Sequence, residues 1–483
     1  MFFNNYKPHL SLFTFLIVIF FLRMFLWIYA DLDLGFDEAQ YWTWSKNLEW
    51  GYYSKPPFLA WLINIFTSIC GNTEICVRIS SPILHSISAF FIGLTCKNFT
   101  RNHSACFIAA SIWILIPGIS LSSGFISTDV PLLFFTSILL WSFSHILFIK
   151  NNNLYYLIFC LALALGFLSK YAIIYFVISL ILAVIFEKNI FIQIKNNFSL
   201  SYLFAIFFVF FLIVFNHLQW NYNNSFITAH HTFANANING EGSGFKSLIK
   251  FFLEQFIVFG PLTLVFLLTT LYKYNKLSTE ERTLIFLSFI PILLVMFQAF
   301  ISRAHANWAA IAYVPATVLV ASQIVKYWPK TKFIYFGIII IGVLFAVLIP
   351  LSSKHNFGLD PFKKYRGWSD LGLEISNIYL SYPSAILVTD DRRVMAEALY
   401  YMKNKPKKWV RWNADGNIHD HYELVTKHED LKNEIGVMVS SEPNNKHFIS
   451  SFTKVTFLKD IYRDISRQKS KEYKVWLLEG YKK

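Results

Sequence analysis

Long apolar runs separated by short polar segments fill the first 350 positions of the chain. A run of this kind can cross about 30 Å of hydrocarbon as an α-helix, which satisfies its own backbone hydrogen bonds in lipid. The runs lie at 11–30, 79–96, 105–121, 131–149, 154–169, 171–186, 201–216, 255–272, 284–300, 309–325 and 333–350. This pattern predicts a polytopic α-helical membrane protein with about eleven transmembrane helices.

After residue 350 the pattern changes to short runs rich in β-branched and aromatic residues, with one helical stretch near 392–403. We therefore expect two domains, a transmembrane domain over 1–350 and an α/β extramembrane domain over 351–483. The tail has no Gly-rich phosphate loop, so no site is predicted there. The run Asp390–Arg393 is interpreted as a solvated strand-to-helix turn. The β-type runs lie at 385–389, 409–412, 436–440, 454–458 and 473–478.

Composition supports a membrane protein, since 55% of the residues are hydrophobic and 15% are charged, whereas a soluble domain holds about 25% charged residues. The net charge of +14 is not concentrated in a basic arm, so nucleic acid is not expected as a partner. Lys and Arg are more frequent in the segments that lie inside when the N-terminus is cytoplasmic. We expect a multi-pass protein of the inner membrane, in contact with membrane lipids, whose C-terminal domain is periplasmic.

The cysteines all lie in the membrane part and show no metal-ligand spacing. Buried apolar thiols are the ordinary expectation for such residues. Cys70 and Cys76 could instead form a disulfide if both face an oxidising compartment, and spacing alone does not decide between the two states.

Polar and charged residues follow the odd-numbered apolar runs, whose exits open to the same outer side of the membrane. Such groups are costly near hydrocarbon unless they face a wet cavity. We therefore expect side chains from several helices to converge on one cavity at the outer face. The candidates are Asp37, Glu38, Asp129, Lys170, His217, Arg303, His305 and Asn307.

Three acids are candidate catalytic residues. Asp37 is the candidate general base, because a carboxylate can accept the proton of an attacking hydroxyl or orient an acceptor that is already ionised. The alternative is that Asp37 caps a helix expected over 38–48. Glu38 is a candidate for a supporting or metal-binding role, since two adjacent carboxylates either share a proton or turn apart. Asp129 could act in catalysis, or either Asp129 or Thr128 could cap the next helix.

Three cations are candidate ligands of a phosphate group. Lys55 stands on a rigid Lys-Pro-Pro turn, Lys170 lies between two apolar runs, and Arg303 follows a later run. An ammonium or guanidinium group in such a place suits a phosphate or pyrophosphate oxygen. A lysine that snorkels to the membrane interface is the alternative for Lys55 and Lys170.

Aromatic and amide side chains complete the candidate substrate site. Tyr41 and Trp42 could stack on sugar rings, although an interfacial aromatic belt explains the same residues. His217, His305 and Asn307 are further candidates for substrate binding. A divalent metal could be held by histidine and a carboxylate, but the chain has no His-x-x-x-His spacing, so no cofactor is assigned.

Six segments of the chain together resemble membrane glycosyltransferases of the GT-C fold. The resemblance is to the dolichyl-phosphate-mannose-protein mannosyltransferase family (family 39) and to the related lipid A aminoarabinose transferases, and it covers nearly the whole membrane part. The segments lie at 36–42, 50–57, 74–78, 127–132, 166–171 and 305–308.

The resemblance implies a polyprenyl-phosphate sugar donor and transfer with inversion on the outer face. It implies that Asp37 is the catalytic carboxylate, that Lys55 and Lys170 approach the donor phosphate, and that Asp129 belongs to the second outer loop of the active site. Some relatives carry an acid before the lysine of the Lys-Pro-Pro turn. This chain has Ser54 there, which leaves a bound metal open.

The expected function is transfer of a hexose or amino sugar from a polyprenyl-phosphate carrier to a lipid A or lipopolysaccharide acceptor in the periplasm. Protein O-glycosylation with the same class of donor is one alternative. A transporter or flippase for a lipid-linked sugar is another, although polar groups near the membrane midplane and inverted repeats, which transport predicts, are not evident.

Overall fold

The computed structural model describes residues 8–149, 152–236, 244–354, 360–442, 444, 446–466 and 469–482. Helices fill most of the chain up to residue 351, and a five-stranded sheet lies in the C-terminal part. In chain order the α-helices are α1 (Pro8–Ala30), α2 (Phe36–Lys46), α3 (Phe58–Cys70), α4 (Glu74–Arg78), α5 (Ser80–Thr100), α6 (His103–Leu115), α7 (Pro117–Ser122), α8 (Asp129–Phe148), α9 (Asn153–Ser169), α10 (Ile174–Phe186), α11 (Lys188–Asn197), α12 (Leu200–Asn223), α13 (Ile227–Ala236), α14 (Phe245–Val258), α15 (Pro261–Tyr272), α16 (Thr279–Ile301), α17 (Tyr313–Lys326), α18 (Lys332–Leu351), α19 (Trp368–Ser381), α20 (Arg392–Tyr401) and α21 (His421–Val425). Short 3₁₀ helices lie at Tyr171–Ile173, Tyr274–Lys276, Ala306–Ala312, Lys363–Tyr365, His428–Leu431 and Ile449–Ser451.

Within the described residues, seven helices are long and apolar enough to cross a membrane, and nine spans result if each of two bent helix pairs is counted once. The bent pairs are Tyr171–Phe186 with α11, at 114°, and α14 with α15, at 113°. The apolar helices α6 and α9 are shorter, at 13 and 17 residues. The predicted apolar runs lie on these helices or pairs, except that the run at 105–121 is divided between α6 and α7 at Pro117. The protein is a multi-pass helical membrane protein, and its described residues hold seven to nine such spans where about eleven were predicted.

The apolar run at 255–272, predicted as one helix, is divided into two. Gly260 has a φ of +91°, a left-handed conformation that favours glycine. Pro261 follows at the first helical position of α15, where a missing N–H is tolerated. The chain therefore turns sharply between α14 and α15, which hydropathy alone does not reveal.

The chain forms two compact units. The first, here called the membrane unit, comprises Met1–Ile28, Lys55–Leu59 and Arg78–Pro350. The second, the sheet unit, comprises Tyr29–Ser54, Ala60–Val77 and Leu351–Lys483. The change of sequence pattern near residue 350 is thus also a boundary between units, while two earlier stretches belong with the tail. The division into two domains at that residue stays a prediction.

The centre of the membrane unit is built from α5, α6, α8 and α17, which pack on one another. In the apolar 18-residue stretches of α8 and of Ala306–Lys326, 78% and 89% of the residues are buried. The corresponding values are only 22% for α1, 11% for α12 and 28% for α18, whose exposed apolar faces suit lipid. The spans α8 and Ala306–Lys326 are therefore the most buried of the seven.

The sheet unit contains a mixed sheet with the strand order β2-β1-β3-β5-β4. Strands β1 and β3 are parallel and fully buried, β2 pairs in parallel with β1, and β4 with β5 forms a long antiparallel hairpin. This confirms the predicted α/β region, since each predicted β-type run lies on one strand. The strands are β1 (Ile386–Thr389), β2 (Trp409–Arg411), β3 (Gly436–Ser440), β4 (Phe452–Ser466) and β5 (Lys469–Tyr481).

The cysteines divide into two groups. Cys96, Cys106 and Cys160 are buried free thiols, as expected for apolar surroundings. Cys70 and Cys76 form a disulfide with their Cα atoms 5.8 Å apart, so the expectation of a buried thiol is wrong for this pair. A disulfide here is consistent with an oxidising compartment on that side of the membrane.

Candidate active site

Asp129, Lys170 and Asn307 form a polar cluster in the membrane unit. The Lys170 ammonium donates to Asp129 Oδ1 at 2.7 Å, and the Asn307 amide donates to Asp129 Oδ2 at 2.6 Å. The side chains of Asp129 and Lys170 are 11% and 19% exposed. Both oxygens of this largely buried carboxylate are thus bonded, and its charge is balanced by the lysine.

Three separate elements bring this cluster together. Asp129 is the first residue of α8, Lys170 is the C-cap of α9, and Asn307 lies in the 3₁₀ helix before α17. The Asp129 N–H donates to Ser127 Oγ at 3.3 Å, and Thr128 forms no side-chain cap. The carboxylate of Asp129 therefore joins three elements, and the alternative in which it caps α8 is wrong.

A second polar group fixes the residue after Lys170. The Tyr171 hydroxyl lies 2.8 Å from His217 Nε2, and the Asn221 amide lies 3.2 Å from the same nitrogen. His217 is fully buried on α12. Its burial favours a supporting role for the turn at Tyr171 over the substrate contact predicted from the sequence.

Arg303 and His305, two further predicted residues of the membrane unit, contact other side chains. Arg303 donates to Asn235 Oδ1 at 3.2 Å, and His305 packs edge-on against Trp308 with ring centres 5.3 Å apart. Among the described residues, neither Arg303 nor His305 hydrogen-bonds to Asp129. Their assignment to phosphate and substrate binding stays a prediction.

Lys55 is half-buried on the extended turn that precedes α3. The turn is anchored by Phe58, whose ring packs edge-on against Phe135 of α8 at 4.9 Å between centres. Because α8 also begins at Asp129, the Lys-Pro-Pro turn is tied to the helix that carries this acid. The predicted contact of Lys55 with a phosphate stays a prediction.

Asp37 and Glu38 have different environments at the start of α2, in the sheet unit. The Glu38 carboxylate accepts the backbone N–H of Gly35 at 2.9 Å, and Glu38 is 4% exposed. The Asp37 side chain is 53% exposed, and its Oδ1 lies 3.4 Å from Arg392 Nη1. Glu38 therefore caps α2, and the alternative in which Asp37 is the cap is wrong.

Arg392 reaches Asp37 from the turn between β1 and α20. The Asp390 side chain is 7% exposed and accepts from Ser440 Oγ, from the Ser441 N–H at 2.8 Å and from His447 at 3.1 Å. Burial alone would raise the pKa of Asp390, but these hydrogen bonds outweigh it and hold the pKa below its ordinary value.

The neighbouring Asp391 is also buried and accepts the Arg393 N–H and guanidinium at 2.9 and 2.7 Å, which caps α20. The run 390–393 is thus a strand-to-helix turn, as predicted, but it is not merely solvated. A signal for this was present, because the carboxyl end of a buried parallel strand is where functional groups collect in α/β sheets.

The predicted aromatic residues are packed against protein side chains. Tyr41 is buried, with its ring centre 5.1 Å from that of Trp44. The Trp42 indole donates to Asn72 at 2.9 Å and lies 4.9 Å from the ring of Tyr400, edge-on. This environment favours a structural role, and stacking on sugar rings stays a prediction for both residues.

No group of three or more His, Cys, Asp or Glu side chains within the described residues is arranged to hold a metal ion. Asp129 has its two oxygens occupied by Lys170 and Asn307, and Glu38 is used as a cap. A divalent metal is therefore not assigned to any of these residues.

Known proteins resemble this chain in sequence and in fold. Residues 54–220 match the family described as dolichyl-phosphate-mannose-protein mannosyltransferase. The chain is also 31% identical over 381 residues to the lipid A galacturonosyltransferase RgtD of Rhizobium johnstonii, covering 77% of this chain and 78% of that protein. The chain belongs to this family of membrane glycosyltransferases. The family predicted from the sequence segments is therefore confirmed.

Two further relatives extend the comparison. The lipopolysaccharide core galacturonosyltransferase RgtA of the same organism is 28% identical over 153 residues, covering 32% of this chain and 30% of that protein. The crystal structure of ArnT from Cupriavidus metallidurans bound to undecaprenyl phosphate superposes with a TM-score of 0.63 at 12% identity, covering 98% of each chain. At this low identity the similarity to ArnT shows the fold, which is the GT-C fold of a membrane glycosyltransferase with a C-terminal α/β region.

Proposed function

We propose that this glycosyltransferase transfers a single sugar from a polyprenyl-phosphate carrier to lipid A or the lipopolysaccharide core on the periplasmic face of the inner membrane. The observation that carries the proposal is the 31% identity to a lipid A galacturonosyltransferase over 77% of the chain. Because both curated relatives are named as galacturonosyltransferases, galacturonic acid is the first sugar to test.

The proposed chemistry is a single displacement at the anomeric carbon of the donor sugar. The acceptor oxygen attacks the anomeric carbon, the bond from that carbon to the phosphate oxygen breaks, and the polyprenyl phosphate leaves with the electron pair. The acceptor proton passes to the Asp37 carboxylate when the acceptor is a hydroxyl, and Asp37 orients an acceptor that is already ionised. Attack from the side opposite the leaving group gives inversion.

The leaving phosphate gains negative charge as the bond breaks, so a fixed cation lowers the barrier. Lys170 is suited to this task because its ammonium uses one of three donors on Asp129 and is held by that contact. Asn307 holds the second Asp129 oxygen, so the acid orients the lysine and does not itself act as a base. Lys55 and Arg303 are further cations proposed for the donor.

The placement of the reaction follows from the proposed sidedness. With the N-terminus in the cytoplasm, α2, the Lys-Pro-Pro turn and the tail all belong to the outer side. The disulfide Cys70–Cys76 supports this assignment, since a periplasm is oxidising and the cytosol is not.

The test is mass spectrometry of lipid A and of surface glycoproteins from cells with and without the gene. We expect loss of one sugar from lipid A or core, its restoration by the wild-type protein, and no restoration by Asp37→Asn. Purified protein supplied with polyprenyl-phosphate galacturonic acid and lipid A should carry out the same transfer. An unchanged lipid A with an altered glycoprotein would establish protein O-glycosylation instead. Movement of the intact lipid-linked sugar across the membrane of vesicles, with no glycosidic product, would establish transport.

A further inference from the structure

The sheet unit contributes an arginine that is fixed to the first turn of α2. Arg392 Nη1 lies 3.4 Å from Asp37 Oδ1 and 3.1 Å from Gln40 Oε1. Its guanidinium carbon lies 5.1 Å from the ring centre of Phe36. Phe36, Asp37 and Gln40 all lie in the first turn of α2. A single arginine side chain therefore contacts the turn that carries the candidate base.

The backbone that presents Arg392 is itself firmly held. Asp390 and Asp391, directly before it, are both bonded by side-chain and backbone donors, and Arg392 opens α20 as its first residue. Helix α20 packs against α2 within the sheet unit. The arginine is therefore presented by a braced turn, and its contact with Asp37 does not depend on a free loop.

The contact restrains the carboxylate without covering it. Among the described residues, Arg392 is the one partner that bonds to the Asp37 carboxylate, and it takes Oδ1. The Asp37 side chain remains 53% exposed and that of Arg392 39% exposed. An ion pair with both partners this exposed contributes little to folding stability, so its main effect is on the direction in which Oδ2 points.

We propose that Arg392 is a positioning residue for Asp37, so that the C-terminal part of the chain takes part in the transfer reaction by orienting the base. This inference rests on the proposed function. Orientation of a reacting group by a fixed contact is a recognised contribution to rate. Because both acceptors are reached by one nitrogen, a lysine at the same position retains the essential contact in part.

The experiment measures kcat and KM for the full-length purified protein with polyprenyl-phosphate galacturonic acid and lipid A. We expect Arg392→Gln to lower kcat about tenfold, with the KM for the donor changed by no more than about twofold and with unchanged thermal stability. Arg392→Lys should recover most of the loss. The matched control is Lys408→Gln, because Lys408 forms an exposed ion pair with Glu434 in the same unit, and it should keep wild-type kcat.

A double-mutant cycle separates positioning from a general structural effect. If Arg392 acts through Asp37, Arg392→Gln should cause no further loss in the Asp37→Asn background, measured under single-turnover conditions. A further tenfold loss in that background, an equal loss in Lys408→Gln, or a rise in kcat for Arg392→Gln would overturn the inference.

The two proposals fail in different ways. If Asp37→Asn abolishes transfer and Arg392→Gln does not change it, only the positioning role is refuted. If the wild-type protein transfers no sugar to lipid A or core from any lipid carrier, the proposed function is refuted and the inference falls with it.

Discussion

Replacement of Asp129 by asparagine tests whether the cluster in the membrane unit is both a structural and a functional element. The change keeps the shape of the side chain but removes the charge that balances Lys170. A hydrogen bond to a charged group contributes about 1.5–3 kcal/mol, and Asp129 makes two such bonds. An asparagine still accepts one of these two hydrogen bonds, and the side chains of Asp129 and Lys170 are both partly exposed. We therefore expect Asp129→Asn to destabilise the protein by about 2 kcal/mol.

The matched control is Glu281→Gln in the same unit. Glu281 accepts from Lys326 at 3.0 Å and from the Gln323 amide at 2.5 Å, so it holds one ammonium and one amide as Asp129 does, and it also accepts the Ser278 N–H at 2.9 Å. As whole residues, Glu281 and Asp129 are each 8% exposed, and Glu281 has no proposed role in transfer. Both variants should lose similar stability, measured by size-exclusion chromatography after heating in detergent. Only Asp129→Asn should lose transfer activity per folded molecule.

Two results would refute this reasoning. Unchanged stability of Asp129→Asn would mean that the contacts with Lys170 and Asn307 are not made in the protein. An equal loss of activity in Glu281→Gln would mean that the activity reports general destabilisation of the membrane unit, and the cluster would then have no special part in the reaction.

Further predictions concern the sheet unit. Glu38→Ala should lower stability by about 1 kcal/mol through loss of the Gly35 N–H acceptor, and an unchanged unfolding midpoint would contradict the cap. The double variant Cys70→Ser with Cys76→Ser should lower the unfolding midpoint, whereas thiol labelling of both cysteines in unreduced wild-type protein would show that the bond is not formed. Because hydrogen bonds hold the folded-state pKa of Asp390 below its ordinary value, their stabilisation is present at neutral pH and is lost as the pH falls through that lowered pKa. Asp390→Asn should therefore flatten the acid limb of the stability profile, and an unaltered limb would contradict this account.

The helices and strands were largely predictable because each follows a local hydrophobic pattern. The apolar runs lie on helices, and the β-type runs lie on β1 to β5. The sharp turn near Gly260 was not predictable in this way, because the run 255–272 remains apolar across it. Hydropathy reports burial in lipid or protein and does not report the direction of the chain.

The residues of the candidate site were easier to predict from the sequence than the contacts that these residues make. Odd-numbered runs place Asp129, Lys170 and Asn307 on one side of the membrane, which made their meeting an expectation. The capping role of Glu38 was not foreseen, because the helix was expected to begin two residues later than it does. A shift of this size moves the cap from one carboxylate to the other.

Arg392 was missed because a charged turn in a polar tail resembles ordinary solvated surface. Its partner Asp37 lies 355 positions earlier in the chain, so no local pattern connects the two residues. Only the position of the turn at the end of a buried parallel strand distinguished it from other charged runs.

The sheet unit is made of three separate stretches of the chain, and this has a practical consequence for protein engineering. Because residues 29–54 and 60–77 fold with 351–483, a chimera that exchanges only the tail between relatives joins surfaces that were never matched. An exchange of the sheet unit should therefore move all three stretches together, and tail truncation should be expected to disturb the helix that carries Asp37.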